Sequence, residues 1–270
     1  MRRLLFLAPF LLLFSSVAAQ AGDSITWITH PMPPAFIAEG PDAGMGVGDQ
    51  QLRLLMNHLP GYDYHLLQSS FARIWTQMAD NDGICAQSVF SSPERRKVAV
   101  FSRRPLREAG FRVYILADSA KRFASYLTAG HEIDFGRLAS DAGLRGGYYG
   151  TRLLPGPVSA AHPILDTAQS TDQLMHLLTA HRLDYFLAVA NEVTFYHRDD
   201  IVGYPIEGVP AFNNVYIACS DKPVGRAVIS KIDALLAQPD LWADFVAPLK
   251  RWHGADEFEQ SLASQPLSAQ

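Results

Sequence analysis

Short β-prone runs alternate with helical patterns in the first third of the sequence, and this alternation restricts the fold more than any other feature. Residues 24–29, 62–67 and 83–90 have the apolar character of strands, and a helical stretch separates each neighbouring pair. The first helical stretch follows Asp49, a residue that favours the N-cap position, and the second covers residues 70–80. Strands and helices in this order form a parallel sheet with helices packed on its faces. The sequence therefore predicts an α/β fold.

A second series of strands and helices follows in the middle of the chain. It contains predicted strands at residues 144–149 and 183–190 and a predicted helix at residues 170–181. Residues 213–220 are again β-prone and lead into two further helical stretches. We therefore expect two lobes, each a mostly parallel sheet flanked by helices, with two hinge crossings and a cleft between them. The expected boundaries are residues 22–117 for the first part of lobe 1, 118–210 for lobe 2, 211–254 for the return to lobe 1 and 255–270 for a loose tail.

The N-terminus has the pattern of a secretory signal peptide over residues 1–21. Arg2 and Arg3 precede an apolar run at residues 4–14, and small residues follow at 17–21. The apolar run is shorter than the roughly 20 residues that a membrane-spanning helix needs, and no later stretch is long enough. We therefore expect a monomeric periplasmic protein, secreted through a cleaved signal peptide and without direct membrane insertion.

The charge balance and the spacing of metal-binding residue types argue against several classes of partner. Lys and Arg total 23 against 27 Asp and Glu, and no basic run is interleaved with aromatic residues, so we expect no nucleic acid partner. The 9 histidines are scattered, and the 2 cysteines lack CxxC spacing. The sequence therefore predicts neither a metal site nor a cofactor.

The most informative motif follows the third predicted strand, at residues 91–102, with the sequence SSPERRKVAVFS. It resembles the Thr-x-x-Arg and Phe-Ser signature of the family 3 extracellular solute-binding proteins, the amino-acid-binding components of ABC transporters. Ser92 takes the place of the threonine and Arg95 that of the arginine. In that family the arginine binds the ligand carboxylate, because a guanidinium offers two parallel donors to a planar acceptor. The alternative is a surface arginine in a basic run with Arg96 and Lys97.

The resemblance covers about residues 25–236 and implies the two-lobed type II periplasmic binding protein fold. Phe71 precedes Ser88 by a spacing that suits an aromatic wall and a polar group on one cleft. Residues 147–151, with the sequence GYYGT, resemble the family's turn in which a hydroxyl and backbone N–H groups meet the anionic end of the ligand. The ligand-binding residues that the resemblance and its surroundings imply are Trp27, Phe36, Phe71, Ser88, Ser92, Arg95, Tyr149, Thr151, Asn191 and Glu192.

One position departs from the family pattern and changes the expected ligand. Amino-acid binders carry an acid, which holds the ligand's ammonium, where this chain has Val189. Asn191 and Glu192 come near that position only with a shift along the chain. We therefore expect a small anionic, carboxylate-bearing ligand and not an α-amino acid by default. Trp27 and Phe36 would make the pocket aromatic, and core packing is the alternative for both.

The resemblance also bears on the two cysteines. Cys85 lies in the third predicted strand, as in a narrower, proteobacterial branch of the family that shares the Ala72 and Arg73 pair. Cys219 lies in the strand that returns to lobe 1. We predict a disulfide between them, because an oxidising compartment lets neighbouring cysteines pair. The alternative is two buried thiols.

Three functions suit these features. The first is a solute-binding protein that closes on its small-molecule ligand for an ABC permease, and the second is a sensor that signals through a separate membrane protein. The third is a dehydratase-like enzyme in the same fold, for which Glu192 is the candidate acid. No spacing typical of a catalytic triad or of paired carboxylates supports the third, so we predict that the protein is not an enzyme.

Overall fold

The structure is a computed structural model that describes residues 23–150 and 152–266, and these residues form two β-sheets. The first sheet consists of β1 (Ser24–Thr29), β2 (Asp63–Gln68), β3 (Ile84–Val89), β4 (Ala99–Phe101), β5 (Leu106–Ala109) and β11 (Phe212–Ser220). The second sheet consists of β6 (Phe111–Leu116), β7 (Gly146–Tyr149), β8 (Leu165–Ala168), β9 (Tyr185–Val189) and β10 (Ile201–Pro205). The signal peptide expected at residues 1–21 lies outside the described residues.

Helices pack on both sheets and define the two lobes. The helices of lobe 1 are α1 (Val47–His58), α2 (Phe71–Asp80), α8 (Pro223–Leu236), α9 (Pro239–Val246), α10 (Leu249–Trp252) and α11 (Ala255–Leu262). The helices of lobe 2 are α3 (Ala120–Phe123), α4 (Phe135–Ala139), α5 (Gly156–Ala160), α6 (Thr171–Thr179) and α7 (Ala190–Thr194). Short 3-10 turns lie at Arg95–Lys97, Ala117–Ser119 and Ala124–Tyr126.

The first sheet has the strand order β2-β1-β3-β11-β4, with β5 paired to β11. β1 is parallel to β2 and β3, as the alternation of strands and helices predicts, and β11 is antiparallel to β3, β4 and β5. Ile25, Trp27 and Ile28 of β1 are all buried, because helices cover both faces of this strand. Lobe 1 is therefore built around the parallel strands that the sequence predicts.

The second sheet has the strand order β10-β6-β9-β7-β8. β7 is parallel to β8 and β9, whereas β6 is antiparallel to β9 and β10. Each sheet is thus mixed, since the strand that follows each crossing, β6 or β11, runs against the others. The expected α/β architecture of two helix-flanked sheets is confirmed.

The crossing from lobe 1 to lobe 2 differs from the expected boundary at Asp118. Residues 111–116, assigned to lobe 1 from the sequence, form β6 and pair within the second sheet. The two crossings touch at Gly110, whose N–H donates to the carbonyl oxygen of Ala211 at 2.7 Å. A Cβ at Gly110 would lie 2.1 Å from the carbonyl oxygen of Pro210, so only glycine fits there. An apolar run identifies a strand but does not say which sheet receives it, and this accounts for the difference.

The C-terminal segment also differs from expectation, because α11 is docked on lobe 1 where a loose tail is predicted. Phe258 is buried, and the hydroxyl of Ser261 accepts a hydrogen bond from the backbone N–H of Arg107 at 2.9 Å. Trp242 Nε1 donates to the carbonyl oxygen of Ser261 at 3.2 Å. The segment is polar in composition, and only a few of its residues make this contact with β5 and α9. Composition alone therefore misses it.

Cys85 and Cys219 form a disulfide, as predicted. They are directly opposite one another on the antiparallel strands β3 and β11, and both are 0% exposed. The bond therefore joins a strand of the first half of lobe 1 to the strand that returns from lobe 2.

Candidate ligand-binding cleft

Side chains from the two lobes meet where the parallel strands end. His30 follows β1, Phe71 begins α2, and Tyr149 ends β7 in lobe 2. The ring centroid of His30 lies 5.0 Å from that of Phe71 and 5.3 Å from that of Tyr149. The Phe71 and Tyr149 centroids are 6.0 Å apart. The structure thus brings together Phe71 and Tyr149, two of the residues identified from the sequence, in one contact between the lobes.

His30, which the sequence analysis does not identify, holds this contact in place. Its Nδ1 lies 2.8 Å from the carbonyl oxygen of Ser69, and its Nε2 is hydrogen-bonded to the hydroxyl of Tyr149. The carbonyl oxygen can only accept, so Nδ1 carries a proton, and the Nε2 of a neutral ring then accepts from the hydroxyl of Tyr149. Burial lowers the pKa of His30 and raises the pKa of Tyr149 to about 12, so both groups are uncharged at neutral pH. The position of His30 in the sequence is the signal that could identify it. A polar residue directly after an apolar parallel strand lies at the edge of the sheet where ligands bind.

A cavity lies beside Tyr149, between the lobes. Its empty volume is about 240 Å³, which includes space open to solvent. Residues 31–33 of lobe 1 line it on one side, and Tyr149, Ser170, Thr171 and Tyr196 of lobe 2 line it on the other. The walls combine proline and aromatic surfaces with hydroxyl groups. Such a lining suits a small ligand that has apolar and polar parts.

A buried ion pair between Arg152 and Glu192 adjoins the cavity through Thr171. Nη1 of Arg152 lies 2.6 Å from Oε1 of Glu192, and the side chains are 5% and 2% exposed. The hydroxyl of Thr171 donates to Oε2 of Glu192 at 2.9 Å. Burial alone would lower the pKa of Arg152, but the carboxylates of Glu192 and Glu108 outweigh burial and raise it. A charged guanidinium that no sequence motif indicates therefore lies buried in lobe 2 near the cavity, directly after residues 147–151.

Arg95 lies in the 3-10 turn that follows β3, and its position is fixed by lobe 1. Its Nη1 donates to the carbonyl oxygen of Phe90 at 2.7 Å, and its Cζ lies 4.2 Å from the ring centroid of Trp75. Its backbone N–H donates to the hydroxyl of Ser92 at 3.3 Å, so Ser92 positions the turn. Burial lowers the pKa of Arg95 to about 10, which leaves it charged at neutral pH. The surface alternative does not hold, because Arg95 is only 8% exposed.

Two aromatic residues of the sequence-derived site lie in the core of lobe 1. Trp27 is buried within β1. Phe36 packs on α1 so closely that a Cβ at Gly48 would lie 2.5 Å from its Cζ. Both rings therefore pack in the core and do not form a wall of the pocket, because they fill the space between the first sheet and its helices. A preference for burial cannot distinguish a core ring from a pocket ring.

The other sequence-derived residues have separate surroundings. Ser88 near the end of β3 has a φ of 56°, in the left-handed region of backbone conformation. Nδ2 of Asn191 lies 3.0 Å from Nε2 of His253, which follows α10, so Asn191 contacts the C-terminal part of lobe 1. Thr151 lies outside the described residues. Val189, where the family has an acid, is 0% exposed.

Among residues 23–150 and 152–266, no helix has the length and apolar character needed to cross a membrane. The same residues contain no group of three or more His, Cys, Asp or Glu side chains that could hold a metal ion.

Solved structures resemble this architecture closely, although no protein-family model and no curated protein sequence matches the chain. A mutant of ArgBP from T. maritima superposes with a TM-score of 0.67 at 14% identity, over 87% of this chain and 96% of that one. The chain has the two-lobed type II periplasmic binding fold. An arginine-bound amino acid ABC transporter substrate-binding protein from Streptococcus pneumoniae gives 0.65 at 14% identity, over 89% and 96%. The glutamate-bound GluR0 ligand-binding core from Nostoc punctiforme gives 0.64 at 12% identity, over 86% and 100%.

Proposed function

We propose that this protein is a periplasmic, family 3 type solute-binding protein that closes its two lobes on a small ligand bearing a carboxylate. The observation that carries the proposal is the guanidinium of Arg95, which is buried, charged and paired with no carboxylate among the described residues. The hydrogen bond to the carbonyl oxygen of Phe90 uses one of the five N–H groups of the Arg95 guanidinium. Two parallel N–H groups therefore remain to bind the two oxygens of a carboxylate.

The position of Arg95 supports a role in the cleft. It follows β3, and β3 is parallel to β1, so Arg95 and His30 lie at the same edge of the first sheet. The ring of Phe90 lies 6.3 Å from that of Phe111, and Cζ of Arg152 lies 5.6 Å from the Phe111 ring. Two charged arginines, one from each lobe, therefore flank one pair of phenylalanines next to the hinge.

Closure about the hinge provides the mechanism of binding. The two crossings meet at Gly110 and Ala211, so the lobes are joined by a narrow connection while side chains such as His30 and Tyr149 meet across the cleft. A ligand that contacts both lobes stabilises the closed arrangement by its differential affinity for it. The similar structures include proteins described as bound to arginine and histidine, and these ligands also carry a carboxylate.

Delivery of the ligand to an ABC permease is the function that these neighbours favour, since two of them are described as substrate-binding proteins of amino acid ABC transporters. A second candidate is a ligand sensor that acts through a membrane protein. The similarity to the ligand-binding core of GluR0 supports it. Catalysis finds less support, because the two oxygens of Glu192 contact Arg152 and Thr171.

Mass spectrometry of small molecules released by denaturing the purified protein tests the proposal and identifies the ligand. We expect the released molecule to carry a carboxylate and to raise the melting temperature of the stripped protein. Arg95→Gln should abolish that rise, whereas Arg137→Gln, a change at an exposed arginine of α4, should preserve it. A folded Arg95→Gln variant with an unchanged rise contradicts the proposal. Recovery of a permease or of a signalling protein from membranes, with ligand present, separates the two candidate functions.

A further inference from the structure

We propose that Arg152 receives an acidic group of the ligand, and that Glu192 competes with the ligand for this guanidinium. The inference rests on the proposed function and concerns the same cleft. It names a second anion-binding residue, and it predicts that the protein binds acids that have no ammonium group.

Glu192 divides its carboxylate between two partners. Its Oε1 lies 2.6 Å from Nη1 of Arg152, and its Oε2 accepts from the hydroxyl of Thr171 at 2.9 Å. A carboxylate that binds arginine best presents both oxygens to two parallel N–H groups. A ligand carboxylate that enters past Thr171, which lines the cavity, can offer both oxygens to Arg152, whereas Glu192 gives one of its oxygens to Thr171. The pair is therefore open to exchange of its acidic partner.

The hydrogen bonds of Glu192 lead to the same conclusion. Its Oε2 accepts from the hydroxyl of Thr171, so one side of the carboxylate is fixed to α6. Its Oε1 is close to Arg152, yet no donor among the described residues is aligned with it as a hydrogen bond. A buried carboxylate with one poorly aligned oxygen holds its arginine weakly compared with a fully satisfied pair.

The surroundings of Arg152 are suited to a ligand acid. Thr171 and Tyr149 line the cavity, and Thr171 is bonded to the carboxylate that holds Arg152. Phe111 covers the guanidinium with its ring, and burial excludes water that would weaken an ion pair. Glu108 already adds one negative charge nearby, so an incoming acid and Glu192 cannot both be accommodated beside Arg152 without repulsion. Competition between them follows.

The variant Glu192→Gln tests competition directly. Glutamine keeps an oxygen that accepts from Thr171 but removes the charge that holds Arg152. If Glu192 competes with the ligand, this variant binds acids about ten- to a hundredfold more tightly, the range that one hydrogen bond to a charged group provides. If Glu192 instead holds a ligand ammonium, the same variant binds more weakly. The two roles thus predict opposite signs.

The experiment uses pairs of acids that differ only in the α-ammonium group. L-glutamate with glutarate, and L-arginine with 5-guanidinopentanoate, are titrated by calorimetry into stripped wild-type protein, Glu192→Gln and Arg152→Gln. We expect the ammonium-free acid of at least one pair to bind wild type, to bind Glu192→Gln at least tenfold more tightly, and to bind Arg152→Gln at least tenfold more weakly. Glu259→Gln and Arg137→Gln, which change exposed residues, are the matched controls and should behave as wild type. The double variant Arg152→Gln with Glu192→Gln leaves no unpaired buried charge from this pair, so it replaces Arg152→Gln if that variant does not fold.

Two results overturn the proposal. In the first, wild type binds the amino acids but not the matching acids without an ammonium group, and Glu192→Gln binds the amino acids more weakly than wild type does. The proposed function then stands, and Glu192 is the residue that binds the ligand's ammonium. The other is no binding of any of the four acids by wild type or by Glu192→Gln. The proposed function itself fails only if, in addition, the native protein releases no small molecule when it is denatured.

Discussion

Removal of the Cys85–Cys219 disulfide should lower the free energy of unfolding by several kcal/mol. The bond closes a loop with a sequence separation of 134 residues, and this loop contains the whole of lobe 2. Both cysteines are 0% exposed within the first sheet. The bond therefore restricts the unfolded chain strongly while it joins strands that are already paired in the folded protein.

The magnitude follows from the loop length. In the chain-entropy model, a closed loop of this size lowers the entropy of the unfolded chain by roughly 17 cal/mol/K, or about 5 kcal/mol at 25 °C. For a chain of this size, each kcal/mol corresponds to about 2–4 °C in melting temperature. The double variant Cys85→Ala with Cys219→Ala should therefore melt about 10–20 °C lower than wild type.

Urea unfolding and calorimetry of the oxidised wild type and the double variant measure this difference. Wild type refolded in reductant is the control, because it keeps both sulfur atoms but lacks the bond. If loop entropy dominates, the reduced protein and the double variant lose similar stability. A loss below about 1 kcal/mol for the reduced protein refutes the entropic reasoning. A large loss confined to the alanine variant instead attributes the effect to the cavity left in the core.

Two further predictions concern a close approach and a buried histidine. Gly225→Ala should destabilise the protein by about 1–3 kcal/mol in urea unfolding, because a Cβ there would lie 2.1 Å from the carbonyl oxygen of Ser220. Gly156→Ala is the matched control, because a Cβ at Gly156 would have no atom within 4 Å. Equal losses of stability in the two variants would contradict this reasoning. Burial lowers the pKa of His253 to about 3, so the unfolded chain binds a proton at this residue more readily than the folded protein does. The stability that the neutral ring contributes is therefore lost as the pH falls from 6.5 towards 3. The stability difference between wild type and His253→Gln should therefore shrink by at most about 1.4 kcal/mol from pH 7.5 to 5.5, and a constant difference would argue against a neutral buried His253.

The sequence alone determined the fold class and several of its local consequences. Alternating strands and helices lead to helix-covered sheets with parallel strands because the chain must cross the sheet between such strands, and β1 to β3 follow that rule. The prediction of a disulfide between Cys85 and Cys219, on two strands of one lobe, is confirmed. The motif after β3 identifies Arg95, which is buried there, and its role in ligand binding stays a prediction. The fold class and the Arg95 motif depend on residues that are close in sequence or on a pattern with a fixed period, whereas the disulfide joins residues with a sequence separation of 134.

The tertiary structure decided what depends on contacts between distant segments. The pairing of β6 within the second sheet, the docking of α11 on β5 and the burial of Trp27 in the core could not be read from patterns, because a strand or an aromatic ring has the same local signal in either setting. The same holds for the cleft. Packing of the two lobes brings His30 to Tyr149 across 119 positions of the chain. Packing within lobe 2 brings Arg152 to Glu192 across 40 positions.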